Sequence, residues 1–379
     1  MKKLSISMAL FLALATGTAR AQTPNPQQLA QLRWFPANQN GASYPVTGTF
    51  LFGLAFDGAN LWVASSNQSN TSQLVKVNAT TGAVLGTAAV GTLAAGVVFD
   101  GTYVWTANQA SASVTRVRAG DLANGGTFAA GNGARYLAFD GASIWVTNWF
   151  ANTVTKLAAS TGSLQGTYPV GTNPSGIAFD GQSIWITCAG SNAVQRLRTS
   201  DGTVLATYAV GAGPQHLAFD GANLWVANAS SNTVTKLRAI DGVTLGTYAV
   251  GAGPYAVVFD GTYVWVANNS AWTVSKLRAS DGGLVGTFTT GRYPIGVAFD
   301  GVNVWTSNSG GSRSPSCEPL SQNNLRSCCP ARRFVAAWRD LIEIAAPHLE
   351  QGQMARCERP ASSRARHRVR TLRTRAHAA

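Results

Sequence analysis

Between residues 22 and 312 few side chains have the type and spacing to do chemistry. His216 is the only histidine in that span, Cys188 the only cysteine, and no glutamate precedes Glu318. The acids there are aspartates. Seven of them, Asp57, Asp100, Asp140, Asp180, Asp220, Asp260 and Asp300, sit between Phe and Gly, with a tryptophan five residues on. Those tryptophans are Trp62, Trp105, Trp145, Trp185, Trp225, Trp265 and Trp305. General acid/base catalysis needs a titratable group set against a reacting proton, and a hard divalent cation needs several oxygen ligands together. One active site needs no seven identical carboxylates. Asp before Gly instead fits a turn whose side chain accepts local backbone N–H bonds, and the tryptophans fit packing between neighbouring units. Asp121, Asp201, Asp241 and Asp281 fall in other turns. Cys188 stands where Asn108, Asn148, Asn228, Asn268 and Asn308 stand in other copies, so it reads as a small buried side chain rather than a nucleophile. The asparagines read as turn formers. No nucleophile motif or phosphate-cradling loop is present. The expectation is no catalytic residue, no metal ligand and no cofactor.

The elements that carry these residues repeat. The first interval between anchors is 43 residues and each later one is 40, a period that marks a repeat architecture. Each copy holds four short apolar runs, such as Gly-Ile-Ala-Phe-Asp, Ser-Ile-Trp-Ile-Thr-Cys, Ala-Val-Gln-Arg-Leu-Arg and Val-Leu-Ala-Thr-Tyr-Ala-Val over 176–210. Asp-Gly and Ser-Asn breaks between β-branched and aromatic runs signal hairpins, and no helical periodicity is sustained before residue 330. Four antiparallel strands per 40 residues make one propeller blade. Tyr44-Pro45-Val46 matches Tyr168-Pro169-Val170, a fourth strand. The fold expected is therefore all-β: a seven-bladed β-propeller of four-stranded antiparallel blades, its ring closed by an N-terminal outer strand and its last blade incomplete, with the third-strand place empty or badly filled.

The runs Gly-Ile-Ala-Phe-Asp-Gly (176–181), Ile-Trp-Val-Thr-Asn (144–148) and Asn-Thr-Val-Thr-Lys-Leu (152–157) resemble the bacterial YVTN/NHL-type propellers. More loosely, residues 44–312 resemble the streptogramin (virginiamycin B) lyase family. The matching residues are mostly those that build a blade, so the resemblance implies fold rather than function. The lyase family relies on an acid/base His and Glu arrangement with Mg²⁺. Here only His216 offers itself as such a base, and Mg²⁺ enters only under that alternative, a carbon–oxygen lyase.

Function should lie where the copies differ. Five residues before each anchor aspartate stand Phe52, Ala95, Arg135, Ser175, Gln215, Tyr255 and Ile295. The next slot holds Gly53, Gly96, Tyr136, Gly176, His216, Ala256 and Gly296, mostly small residues, among which Tyr136 and His216 stand out. Turns expected on the same face carry Trp149, Phe150 and Trp272, and the last connection carries Arg292 and Tyr293. The candidate ligand-binding residues are therefore Arg135, Tyr136, Trp149, Phe150, Gln215, His216, Tyr255, Trp272, Arg292 and Tyr293, at a channel mouth suited to a polar or aromatic ligand. Ordinary variation of rim loops is the alternative.

The ends read differently. Residues 1–21 form a secretory signal peptide: Lys2 and Lys3, an apolar run from Ile6 to Ala15 too short to span a bilayer, and Ala19-Arg20-Ala21 as cleavage site. This implies bacterial export to the periplasm or medium. Residues 22–43 form a polar lead, read as a strap packing Leu29, Leu32, Trp34 and Phe35. The net charge is +13, but +8 of it lies in 313–379 and +3 in the signal segment, leaving +2 for 22–312. No nucleic-acid surface follows from that balance, and no later segment is apolar enough for a membrane helix. From Ser312 the repeat stops: Asn-Thr-Val-Thr-Lys-Leu is expected and Arg-Ser-Pro-Ser-Cys-Glu-Pro-Leu follows. Read one nucleotide earlier, Ser314 to Leu320 can encode Val-Thr-Lys-Leu-Arg-Ala-Ser, the missing third strand. The Arg-rich, lysine-free tail thus reads as a frameshift product, with a true, solvated basic tail as the alternative. The organisation expected is signal peptide 1–21, lead 22–43, propeller 44–312 and disordered tail 313–379. The function expected is an exported, non-catalytic binding or interaction protein for an unknown small molecule or protein. The alternatives are a lyase using His216 and a structural scaffold at the cell surface.

Overall fold

The computed structural model describes residues 44–46, 50–67, 71–310 and 316–319, and at 44–45 and 316–319 the backbone alone. The signal segment, the lead and most of the tail lie outside the described residues.

Six blades form from consecutive strands, at 50–90, 94–129, 134–169, 174–209, 214–249 and 254–289, here blades I to VI. Blade III shows the plan: strands Ala134–Phe139, Ser143–Asn148, Thr153–Ala158 and Leu164–Pro169, each antiparallel to the next. The first strands neighbour one another around the centre. The second strand of blade III is buried along its whole length, because other blades cover both of its faces. The fourth is alternately exposed, because it forms the outer edge.

The anchor aspartates tie each blade internally. In blade V, Asp220 Oδ1 accepts the backbone N–H of Ala222 at 2.9 Å and of Asn223 at 2.6 Å, while Oδ2 accepts the Trp225 indole N–H at 2.8 Å. The indole bond recurs in the six other copies at 2.7 Å. Its five-residue spacing was the signal for a side-chain pair, which turn chemistry alone does not supply. A second tie was missed entirely. In blades I to V the basic residue of the third strand lies over the blade's own tryptophan and reaches the next blade. Lys236 Nζ is 4.9 Å from the Trp225 ring and donates to Ala279 O at 2.7 Å; Lys156 does the same with Trp145 and Thr199 O. A desolvated cation over an indole with a carbonyl partner stabilises more than a solvated one.

The expected seven-bladed ring is corrected to six complete blades and a small seventh sheet. That sheet keeps only two strands of blade type, Pro294–Phe299 and Val304–Asn308. Beside them run a four-residue strand, Ser316–Pro319, and a two-residue one, Tyr44–Pro45. The third place is therefore neither empty nor a regular third strand, and what occupies it comes from the segment 313–379. The reason is register. In blades II to VI the last residue of the second strand faces the residue five further on, as Asn268 faces Thr273. Asn308 instead faces Ser316. Trp265 faces Lys276, whereas Trp305 faces Pro319. Proline has no N–H for a ladder, and without the repeat's own Thr-Val-Thr-Lys-Leu no full strand forms.

Candidate functional site

The first and second strands of each blade slip register near the start of the first strand. In blade III the break lies between Ala134 and Leu137, and in blade V between Pro214 and Leu217. Such bulges re-aim side chains, and they fall on the two slots singled out in the sequence. Glycine prevails in the second slot because inner strands touch there. A Cβ on Gly176 would lie 2.6 Å from Gln215 O, and one on Gly96 2.6 Å from Arg135 O. Hydroxyl groups of the second strands close the same seams, as Thr147 Oγ1 donates to Ser175 O at 2.7 Å and Thr187 Oγ1 to Gln215 O at 2.8 Å.

Six of the ten candidate residues meet on this frame. Arg135 of blade III crosses the channel to blades V and VI: its Nη2 donates to Gln215 Oε1 at 3.2 Å and to the Tyr255 hydroxyl. Its guanidinium carbon stands 4.0 Å from the Trp149 ring centre, with Tyr136 at 5.7 Å and Tyr255 at 5.8 Å. Tyr136 and His216 meet edge to face at 5.2 Å, two blades apart, with Gly176 between them. Ser175 Oγ adds a 3.4 Å bond to Gln215 Oε1.

These side chains keep some contact with solvent along the channel, yet the surrounding strands exclude most bulk water. Burial is the largest influence on the Arg135 charge and opposes it; Tyr255 and Tyr136, which could offset it fully only as phenolates, raise its pKa above the usual value, so Arg135 is a cation at every working pH. Burial, then Tyr255, pushes the Tyr136 phenol well above its usual range, so it is a neutral donor. Burial brings His216 down to about 4, against a weaker opposing effect of the Val257 backbone. The imidazole is therefore neutral at pH 7, and its buried Nδ1 has no hydrogen-bond partner among the described residues.

The other four candidates stand apart. Trp272, Arg292 and Tyr293 form a rim cluster beside the seventh sheet, with Arg292 5.0 Å from the Trp272 ring and Tyr293 edge-on to it at 5.7 Å. Phe150 is 54% exposed on the rim, over Gly133. Cys188 is fully buried and burial pushes its thiol up to about 11, as suits a packed side chain. Its neighbour shows a compensation. Asn148 Oδ1 accepts the Gly131 N–H at 3.0 Å; in blade IV, where Cys188 replaces asparagine, Gln195 Oε1 accepts the Gly171 N–H at 2.9 Å. Asn108, Asn148, Asn228 and Asn268 are thus buried links through Nδ2 to third-strand hydroxyls rather than simple turn formers, Asn148 also using Oδ1, and the signal was there: Gln195 stands where blades II, III, V and VI have Thr or Ser.

Charge divides the two faces. All eleven aspartates of the described residues lie at the far face, in the Phe-Asp-Gly turns or the third-to-fourth-strand turns. Asp121, Asp201, Asp241 and Asp281 pair there with Arg118, Arg198, Arg238 and Arg278 at 2.5–3.1 Å. The mouth face carries Arg135 and Arg292 and, among the described residues, no carboxylate. Nor do the described residues group three His, Cys, Asp or Glu side chains as a metal site.

No protein-family model matches the sequence, and no curated protein sequence does. Solved structures do resemble the fold. A streptogramin B lyase structure aligns with a TM-score of 0.63 at 15% identity, over 74% of this chain and 96% of that one. The WD40 β-propeller domain of Doa1 aligns at 0.62 and 15% identity, over 76% and 98%. Hydrazine synthase of Kuenenia stuttgartiensis aligns at 0.59 and 20% identity, over 70% and 94%. The chain is a β-propeller with four-stranded antiparallel blades. At these identities the likeness is one of fold, shared by a lyase and a WD40 domain alike.

Proposed function

We propose that this chain is an exported binding protein that takes a ligand at the channel mouth and performs no chemistry on it. One observation carries the reading: Arg135, Gln215, Tyr255, Tyr136, Trp149 and His216, from three blades, converge on one point of the channel, and none is a residue the repeat needs. Blades I, II and IV carry Phe52-Gly53, Ala95-Gly96 and Ser175-Gly176 in the same slots and form the same four-stranded sheets. A polar neck walled by aromatic rings suits a small ligand. Export rests on the features of residues 1–21, and no helix among the described residues is long and apolar enough to cross a membrane. The lyase reading is the weaker one, because among the described residues no carboxylate accompanies His216 on this face to act as a second acid/base group or as a cation ligand. A small-molecule library screened by thermal shift, with and without Mg²⁺, tests the proposal. Hits should raise the melting temperature of the native protein equally with and without Mg²⁺, and lose that effect in the His216→Ala/Arg135→Ala double variant. Hits that persist unchanged in the double variant would move the site to the rim or the blade edges.

A further inference from the structure

The ligand's charge can be read from the same neck, an inference that rests on the binding role just proposed. Arg135 is a permanent cation withdrawn from most of the bulk water. A charge so placed is costly unless it is compensated. Its hydrogen-bond partners, Gln215 and Tyr255, are neutral, and the Trp149 face offers only a quadrupole. The described residues hold eleven aspartates, but all of them are at the far face, each anchor taken by an indole and its own turn and each of the other four by an arginine. With no acid on the mouth face among the described residues, the potential they set there is positive, and a low-dielectric funnel strengthens such a field.

We propose that the channel mouth binds a small carboxylate, with the Arg135 guanidinium as its counter-charge and the rings of Tyr136, Trp149 and Tyr255 against its apolar part. A single cation balances a single negative charge, and a guanidinium fork matches a planar carboxylate. A phosphate dianion would bring twice the charge to one arginine. His216 adds an unused acceptor or donor at Nδ1, a place for one further polar group on the ligand.

Benzoate, benzamide and phenyl phosphate serve as probes, being close in shape but carrying one, no and nearly two negative charges. Dissociation constants are measured by ligand-observed NMR titration on the full chain. Benzoate should bind at least tenfold more tightly than benzamide and more tightly than phenyl phosphate. Arg135→Gln should weaken benzoate at least tenfold and leave benzamide unchanged, while Arg135→Lys keeps part of the affinity. Thermal melts confirm that both variants remain folded. Equal affinity for benzoate and benzamide, or benzoate binding indifferent to Arg135→Gln, overturns the carboxylate. If both probes then still depend on Trp149 in a Trp149→Ala variant, the mouth remains a binding site and only its charge preference falls. If phenyl phosphate binds tightest, the preference is for phosphate. If none of the probes binds, or no mouth substitution matters, both readings fall.

Discussion

Each inner strand has two ends, and they differ in kind. At one end lies Phe-Asp-Gly, the same in all seven copies, with the carboxylate bonded to an indole at 2.7–2.8 Å every time. At the other, only a few residues away, a bulge presents Arg135-Tyr136 in blade III, Gln215-His216 in blade V and Tyr255 in blade VI. The first end must be repeated because every blade needs the same internal tie. The second is free to vary because a bulge disengages its side chains from the ladder. In a repeat protein, stability resides in what recurs and selectivity in what does not.

Three measurements test that division. The largest effect should come from the recurrent end. Trp225→Ala removes a fully buried ring together with the partner of Asp220 and Lys236, and should cost about 3–5 kcal/mol in denaturant unfolding. A loss below 1 kcal/mol would mean that the tryptophans are not what holds the blades. Next comes the variable end, probed through pH. His216 ionises near 4 when folded and near 6.5 when unfolded. The unfolded chain therefore takes up the proton first as pH falls. Its contribution should be constant above pH 7, be lost between pH 6.5 and 4 by about 3 kcal/mol, and then level off. The difference in stability between the native protein and His216→Phe, followed across that range, isolates it; a flat difference would place the imidazole in ready contact with water. The smallest effect should come from Lys236→Met, which keeps the stem but removes the ammonium from Trp225 and from the carbonyls of Ala279 and Ser280. A loss of roughly 1–2 kcal/mol is expected, and no change would show these bridges between blades to be idle.

The same division decided what could be read from the residues alone. The period, the hairpin breaks and the buried tryptophans were legible, since hydrophobic pattern and turn chemistry act locally. So was the grouping of Arg135, Tyr136, Gln215, His216 and Tyr255, because seven internal copies served as controls for one another. The pairing of Asp with Trp and the reach of Lys236 into the next blade were not, because a recurring residue says that it matters but not what it touches. Counting anchors misled as to the number of blades. Asp300 and Trp305 form their bond as elsewhere, yet a blade also needs its third and fourth strands, and the anchor carries no information about those. The rim cluster of Trp272, Arg292 and Tyr293 was grouped with the neck only because loop positions have no fixed register from which to place them.

The hydroxyl of Ser307 donates to the carbonyl of Phe52, 255 residues earlier in the chain, while Lys236 reaches Ala279 across only 43. During synthesis, then, each blade can dock on its predecessor within one repeat, like successive links in a nearest-neighbour series. Among the described residues, the flank of Phe50–Phe56 that receives Ser307 has no such early partner. It stays uncovered until residues 294–308 have emerged, and Tyr44–Pro45, which pairs with Ser316–Pro319, waits longer still. The delay costs little at equilibrium, since closing a loop six times longer adds roughly 1.5 kcal/mol. Its weight is kinetic: the inner strand of the first blade is covered late, and for that interval its exposed side is open to association with another unfinished chain.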